Sequence, residues 1–395
     1  MTTNDKLDII VFGATGFTGK LVSEYLNKQY GTSGEVRWGI AGRNNDKLQA
    51  VAEELELGDV PVVIADSEDK ASLDAMVSRC KVVLNTAGPY MKYGSSVVES
   101  CARLGTDHVD LNGEPLWMHE VLTKYEETAR KSGARIVFSC GFDSIPSDLG
   151  VQFLQEQAQA KYSRPFSRVK CRVKRVLGEV SGGSVASFGE TMEVLKTQPE
   201  LFTVFTNAFA LTPGFEGPAQ PAGDKEIFEE DLNSWSGPFI MAAINPKNVH
   251  RTNLLLGHPY GEDFVYDEMA ILNKDSSGNT ENAEFSFDMS LKPGEGPSKE
   301  KQEAGYYEMW FVGSNNEGDS LTAIITGDQD PGYGSTSKII SEAAVFLSKK
   351  PKDEDGGILT PASAMGSELR EKLVANAGLT FSISETIPTS STLSR

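Results

Sequence analysis

The amino-acid sequence predicts an α/β protein: an N-terminal doubly wound parallel sheet, a C-terminal α+β domain, and terminal helices that return to the first domain. Three observations carry this. Strand-like and helix-like segments alternate as far as Gly150, the pattern of a parallel sheet with helices on both faces. Beyond it, strand-like runs lie between Gly- and Pro-rich loops. Near the end come two helical segments, one with an apolar face made by Ile339, Ile340, Ala343, Phe346 and Leu347 that needs a partner. A chain of 395 residues exceeds one ordinary core, and the expected division is 1–150, 151–330 and 331–395.

In the first part, strands are expected over Asp8–Phe12, Val36–Ala41, Val60–Ala65, Lys81–Thr86, His108–Leu111 and Arg135–Ser139. Helices are expected over Phe17–Tyr30, Asn45–Glu56, Ser67–Ser78, Ser95–Leu104 and Pro115–Ser132. The second part shows strand-like runs at Val169–Leu177, Phe264–Asn273, Ala283–Leu291, Tyr306–Ser314 and Ser320–Gly327. They suit a mixed or antiparallel sheet. Helices are expected at Ser335–Lys349 and Ala362–Ala377, separated by a polar surface loop at Lys350–Gly357.

Composition excludes several classes. The net charge is −19, which repels phosphate backbones and anionic lipid, so no nucleic-acid partner is expected. Cys80, Cys101, Cys140 and Cys171 show no paired spacing, as suits reduced thiols in the cytoplasm. The four histidines form no metal-binding or triad pattern, so no metal site is expected. The polar N-terminus reads as no signal peptide. The longest apolar stretch, Leu201–Phe215, is interrupted by Thr203, Thr206, Asn207 and Pro213, and falls short of the ~20 residues a membrane span needs.

Gly13, Thr15, Gly16, Phe17, Thr18 and Gly19 lie between the first strand and the first helix. Glycines there allow a tight turn, close approach of backbone to a pyrophosphate, and close helix–sheet packing. The spacing is G-x-x-G-x-x-G. In this strand–turn–helix context it points to a dinucleotide-binding Rossmann domain; packing alone is the other account of the glycines. The second strand ends in Ala41-Gly42-Arg43, with no carboxylate for a ribose 2′-hydroxyl. Arg43 suits a 2′-phosphate, so NADP(H) is the expected cofactor. Asp46 is the nearest carboxylate, and a solvated surface arginine is the alternative. Asp66 is placed near the adenine, and Ala87, Gly88 and Pro89 near the nicotinamide ribose.

These residues, with further motifs, resemble the saccharopine-dehydrogenase-like oxidoreductases, including bacterial trans-acting enoyl reductases. The motifs are Asn85–Tyr90, Val109–Glu114, Gly141–Asp148, Gly182–Ser184, Gly294–Ser298, Asp330–Tyr333 and Gly357–Pro361. The resemblance runs along nearly the whole chain. It implies a Rossmann domain, a substrate and oligomerisation domain, and C-terminal helices on the first domain. It implies either a tricarboxylate amino acid or a lipid- or polyketide-type acyl group as substrate. Some relatives associate with lipid droplets or membranes, so peripheral membrane attachment, homo-oligomerisation and a non-catalytic lipid-associated role stay open.

Between Val176 and Leu369 the only arginine is Arg251. Buried carboxylates need cationic partners, so this scarcity favours an uncharged or carrier-tethered acyl substrate over saccharopine, although lysines such as Lys247 remain. The apolar segments Leu201–Phe215 and Phe239–Ile244 suit an acyl chain, or else plain core or a subunit interface. Enoyl reduction needs hydride delivery and stabilised charge on the acyl oxygen. Candidate groups after strand ends are Tyr90, Glu114, Asp143, Ser144 and Asp148, with Ser144 or Tyr90 as oxyanion donor and Asp143 fixing the loop. Ser144 is equally suited to cap the next helix. Ser184, Ser187 and Thr191 are placed on the substrate side or at a solvated helix start, and Cys140 reads as structural.

Overall fold

The computed structural model describes residues 6–272, 285–286, 290–352 and 356–387. Six strands come from the first part: β1 (Leu7–Phe12), β2 (Trp38–Gly42), β3 (Val62–Ile64), β4 (Cys80–Asn85), β5 (Asp107–Asp110) and β6 (Arg135–Val137). The second part supplies β7 (Arg168–Glu179), β8 (Ile227–Glu229), β9 (Ser234–Pro238), β10 (Val265–Leu272), β11 (Phe285–Ser286), β12 (Tyr306–Ser314) and β13 (Ser320–Gly327). Two more follow near the end, β14 (Gly357–Leu359) and β15 (Leu379–Ser384). Of the expected strand Ala283–Leu291, only β11 and the residues from 290 lie among the described residues.

The first sheet has seven parallel strands in the order β14-β6-β5-β4-β1-β2-β3. From β1 the chain runs outward through β2 and β3, then returns to pair β4 on the other side of β1. The order therefore reverses between β1 and β4, where such sheets open a ligand crevice at the carboxyl ends of their strands. β1 is buried along nearly its whole length, as a central strand covered on both faces must be. Helices Phe17–Tyr30, Ser95–Leu104 and Pro115–Ser132 have the bounds expected from sequence. Their ends are locally encoded: Gly105 and Gly133 stop the last two in the left-handed region at φ 70° and 75°, and Pro115 also opens the last.

Helix Ile145–Tyr162 links the sheets. Its Val151, Leu154 and Ala158 pack into the second core with Val169, Phe311, Ala323 and Ile325. That sheet is mixed, ordered β15-β13-β12-β7-β10-β9-β8 with β11 beside β7. Only the pairs of β7 with β10 and β11 are parallel; its other pairings are antiparallel.

The C-terminal segment is divided between the sheets. Helix Thr336–Lys349 buries Ile339, Ile340, Ala343, Ala344 and Leu347 in one core with Ile9, Val11, Val82 and Leu84. Each fully buried Ile or Leu contributes about 1.5–3 kcal/mol. Gly357, expected in a surface loop, instead starts β14, the edge of the first sheet beside β6. The expected helix Ala362–Ala377 is two helices, Pro361–Ala364 and Gly366–Asn376, broken where Gly366 adopts φ +52°. β15 then crosses to pair β13 in the second sheet. Arg135, 2 % exposed, bonds Asp107 at 2.6 Å and the Leu347 carbonyl at 2.9 Å, tying the helix end to the sheet.

A chain ending before Gly334 would lose this helix and one strand from each sheet, exposing the Ile9–Leu84 face. We expect such a truncation to be insoluble and to bind no NADPH. Soluble yield and dye-free calorimetry of the fragment check this.

Candidate functional site

The loop after β1 is shaped by steric limits. Gly13 lies at φ +88°, and a Cβ there would sit 2.9 Å from both the Ala87 nitrogen and Thr86 Oγ1. The Gly13 and Ala14 amides donate to the Ala41 carbonyl at 3.0 and 3.2 Å. Gly16 precedes the helix with no side-chain cap and no acidic residue in the first turn. The helix therefore offers uncapped N–H groups and its positive dipole end, the chemistry an anion needs. Arg43 is exposed at the end of β2 and makes no ion pair among the described residues. Asp66, after β3, accepts from the Glu68 amide at 3.1 Å and so closes a turn.

Beyond the phosphate loop opens a cavity of about 350 Å³. Gly16, Phe17 and Thr18 line it from the first loop, and Thr86, Gly88 and Tyr90 from the segment after β4. Gly13, Thr15, Gly19, Arg43, Asp66, Ala87 and Pro89 do not line it. The far wall belongs to the second part of the chain: Ser184, Ser187, Phe188, Thr191 and Met192 of helix Gly182–Thr197, then Phe205, Ile240, Met241 and Ile244. Both apolar segments singled out in the sequence thus reach the cavity, although Leu211 of the first is core.

The segment after β5 is organised around Asp110. Its Oδ1 accepts from the Asn112 and Ser139 amides at 3.1 and 2.9 Å and from Asn112 Nδ2 at 2.7 Å. This fold-back aims Glu114 at the short helix Tyr90–Tyr93, whose Tyr90 and Met91 amides donate to its carboxylate at 2.9 and 2.8 Å. That helix was not foreseen, because its cap comes from a residue distant in sequence. Burial pushes the Glu114 carboxyl up, opposed by Ser187 and the two amides. Asp143 also lines the cavity; burial pushes its carboxyl up to about 7, and Asp110 adds to the shift.

Ser144 does not lie where an oxyanion donor must. It is fully buried behind the wall, donates to Asn245 Oδ1 at 2.8 Å and accepts from Asn248 Nδ2 at 2.7 Å. Nor does its side chain cap helix Ile145–Tyr162; it clamps that helix to helix Asn245–Leu255. Tyr90 contributes its ring to the cavity, but its hydroxyl donates to the Asn85 carbonyl at 2.9 Å and accepts from the Leu111 amide at 3.1 Å. Asp148 is buried, accepting from Thr252 Oγ1 at 2.6 Å and the Ala362 amide at 2.8 Å. Cys140 is buried too, and burial pushes its thiol up, which disfavours a nucleophile.

Among the described residues, no lysine or arginine lines the cavity. Arg251 is 2 % exposed and bonded to the Leu211 and Ile358 carbonyls and to Glu126. Lys247, which the sequence leaves free for a substrate carboxylate, is buried with its Nζ donating to the Phe205 and Ala243 carbonyls at 2.8 Å each. Burial pushes it down to about 8.

Tyr333 had no assigned role in the sequence. It lies in the turn Pro331–Ser335, where Asp330 accepts from the Tyr333 and Gly334 amides at 2.9 and 2.7 Å. Its ring meets Phe17 edge-on with centroids 5.0 Å apart, and it lines the cavity. The Asp-Pro-Gly-Tyr run was the available signal, since Asp and Pro mark a turn.

A reversal-point crevice, an uncapped helix and a loop with no room for a Cβ define a dinucleotide-binding oxidoreductase fold. Residues 9–137 match the saccharopine dehydrogenase NADP binding domain. Trans-acting enoyl reductases of Mycobacterium bovis and Mycobacterium ulcerans are 33% and 31% identical to the chain, each alignment covering 93% of it and 96% of the relative. A Mycobacterium tuberculosis relative is 35% identical over 94% of this chain and 96% of its own. The saccharopine dehydrogenase of Saccharomyces cerevisiae shares the fold, with TM-score 0.52 at 11% identity over 95% of this chain and 99% of that one. The chain belongs to the trans-acting enoyl reductase family of saccharopine-dehydrogenase-like, NADP(H)-dependent oxidoreductases. Among the described residues, no helix is long and apolar enough to cross a membrane.

Burial raises Asp110, Asp143 and Asp148 to about 7, from an ordinary value of 3.8. Glu268 is likewise raised to about 7. The folded state therefore holds more protons than the unfolded state between the two values, and stability falls as pH rises through that window. We expect the melting temperature to fall from about pH 5 to about pH 7 and then level. Asp148→Asn should flatten that slope; melting curves across the range check both.

Proposed function

We propose that the cavity takes an acyl substrate with a double bond conjugated to a carbonyl, carried as a thioester. The observation that carries this is the lining: apolar side chains, neutral hydroxyls, two carboxylates and, among the described residues, no lysine or arginine. A tricarboxylate there would meet like charge and find no cationic partner, a desolvation cost of several kcal/mol or more (roughly, per unpaired ion). An acyl chain instead buries methylenes at about 0.8 kcal/mol each. Phe188 is in the wall yet 40% exposed, so the apolar surface continues outward, as a carrier-tethered chain requires.

Bound NADPH supplies the hydride. Gly13, Gly16 and Gly19 would admit its pyrophosphate beside the helix start, and Arg43 would pair with its 2′-phosphate. The chain's own tasks are to exclude water with Phe188, Met192, Phe205 and Ile240, and to hold the acyl group against the floor made by Gly88 and the Tyr90 ring. Reduction places negative charge on the acyl oxygen. With Asp143 and Glu114 in the wall, that charge needs neutral hydrogen-bond donors.

Two outcomes follow. NADPH oxidation, followed by absorbance, should be stimulated by medium- or long-chain enoyl thioesters; saccharopine with NADP⁺ should give no turnover. Reversal of that pattern would sink the acyl assignment. In titrations, NADPH should bind more tightly than NADH. Arg43→Ala should lose about tenfold to a hundredfold of NADPH affinity, the worth of one charge-assisted contact, with NADH affinity unchanged.

A further inference from the structure

We propose that Tyr333 is a catalytic residue that donates a hydrogen bond to the acyl oxygen of the substrate, with its phenol tuned by Ser181 and Ser184. This rests on the acyl assignment above. The Ser181 backbone N–H donates to Tyr333 Oη, and Ser184 Oγ lies 2.9 Å from the same oxygen. Tyr333 and Ser184 line both the main cavity and a side pocket of about 110 Å³. They stand at the junction of the two spaces with Asp143 and Thr336.

Counting protons isolates the donor. The Ser181 N–H uses one acceptor site on the phenol oxygen. The Ser181 hydroxyl also meets the phenol. The contacts with Ser181 and Ser184 consume one hydroxyl proton each, and the three hydroxyls together carry one more than the contacts use. That left-over proton is the one assigned to the substrate. Four other hydroxyls of this region are committed. Thr336 Oγ1 donates to the Pro331 carbonyl at 2.7 Å and accepts from the Phe142 amide at 2.9 Å. Thr191 Oγ1 donates to the Ser187 carbonyl at 3.0 Å, and Tyr90 and Ser144 are engaged as described.

Chemistry orders the pair. A phenol is a far stronger acid than an aliphatic alcohol, so a developing oxyanion draws the phenol proton. Ser184 then donates to Tyr333, and two donors on the phenol oxygen stabilise the charge it gains. The site needs a neutral donor of this kind because Asp143 and Glu114 share the wall. Position is secured from both sides: Phe17 packs on the ring, and Asp330 holds the Tyr333 amide.

The test uses the full chain with NADP⁺ and a saturated acyl thioester carrying a ¹³C carbonyl, read by isotope-edited infrared spectroscopy. Wild type should shift the carbonyl stretch to lower frequency on binding. Tyr333→Phe should bind thioester and NADPH with near wild-type affinity by calorimetry, abolish the shift, and lower kcat for enoyl reduction about a hundredfold, the usual cost of one oxyanion donor. Ser184→Ala should keep most of the shift and lose about fivefold in kcat, the worth of one ordinary hydrogen bond. A ring-fluorinated tyrosine at position 333 keeps the packing, and its more acidic phenol should deepen the shift. The proposal is overturned if Tyr333→Phe retains the shift, if its main loss is NADPH affinity, or if Ser184→Ala abolishes the shift as fully as Tyr333→Phe. Wild type that binds acyl thioester without any shift defeats the donor alone. Wild type that binds no acyl thioester defeats the acyl assignment and the donor with it.

Discussion

The carboxylate of Asp330 is the joint on which the two halves and the cavity depend. It is fully buried and accepts from the Tyr333 and Gly334 amides, while its own amide donates to the Gln302 carbonyl at 2.9 Å. Burial pushes it up to about 6, opposed by the surrounding amides. The turn it closes leaves β13, an interior strand of the second sheet, and enters helix Thr336–Lys349, which fills the core of the first. Between those commitments it has only Pro331–Ser335 in which to place Tyr333 against Phe17. The direction of the phenol is thus set by both sheets at once. A buried carboxylate serving only backbone amides is a local substitute for the ladder that a turn lacks.

What was legible in the sequence was what local chemistry writes. β1, β2 and β4 are interior parallel strands, so they read as short, largely apolar runs between helices. The helices whose limits matched have Pro at the start or glycine at the end. The phosphate loop was legible because its glycines answer a backbone requirement: at Gly13 the left-handed φ and the Ala87 backbone together forbid a side chain. What escaped was non-local. β14 has three residues, too few for any period, and exists because β6 offers an edge. The Tyr90–Tyr93 helix begins where Glu114, in the segment after the neighbouring strand β5, accepts its amides.

The candidate site divides the same way. Gly88, Tyr90 and Asp143 line the cavity, because strand ends in a doubly wound sheet lead to its crevice. Ser144, next in sequence to Asp143, turns the other way and joins a buried network of Asn245, Asn248, Ser147 and Glu268. Residue type and strand end say that a hydroxyl is near the crevice; they do not say which neighbour claims its proton. That is decided by helix Asn245–Leu255, which starts 101 residues on, and no spacing along the chain encodes it.

The scarcity of arginine was the most informative global signal, and the structure gives it a physical form. The one arginine of that long stretch and the buried Lys247 both hold backbone carbonyls: Arg251 takes Leu211 and Ile358 of the core, and Lys247 takes Phe205 and Ala243 of the cavity wall. Cations here are spent on backbone. Among the described residues Lys247 has no carboxylate partner, only two carbonyl dipoles, and burial pushes its ammonium down. The same two carbonyls belong to cavity-lining residues, so positive charge reaches the wall from behind and never enters the cavity. A fold can in this way hold its cations behind the wall of a crevice, on backbone carbonyls, so that the crevice's own lining carries no positive side chain among the described residues.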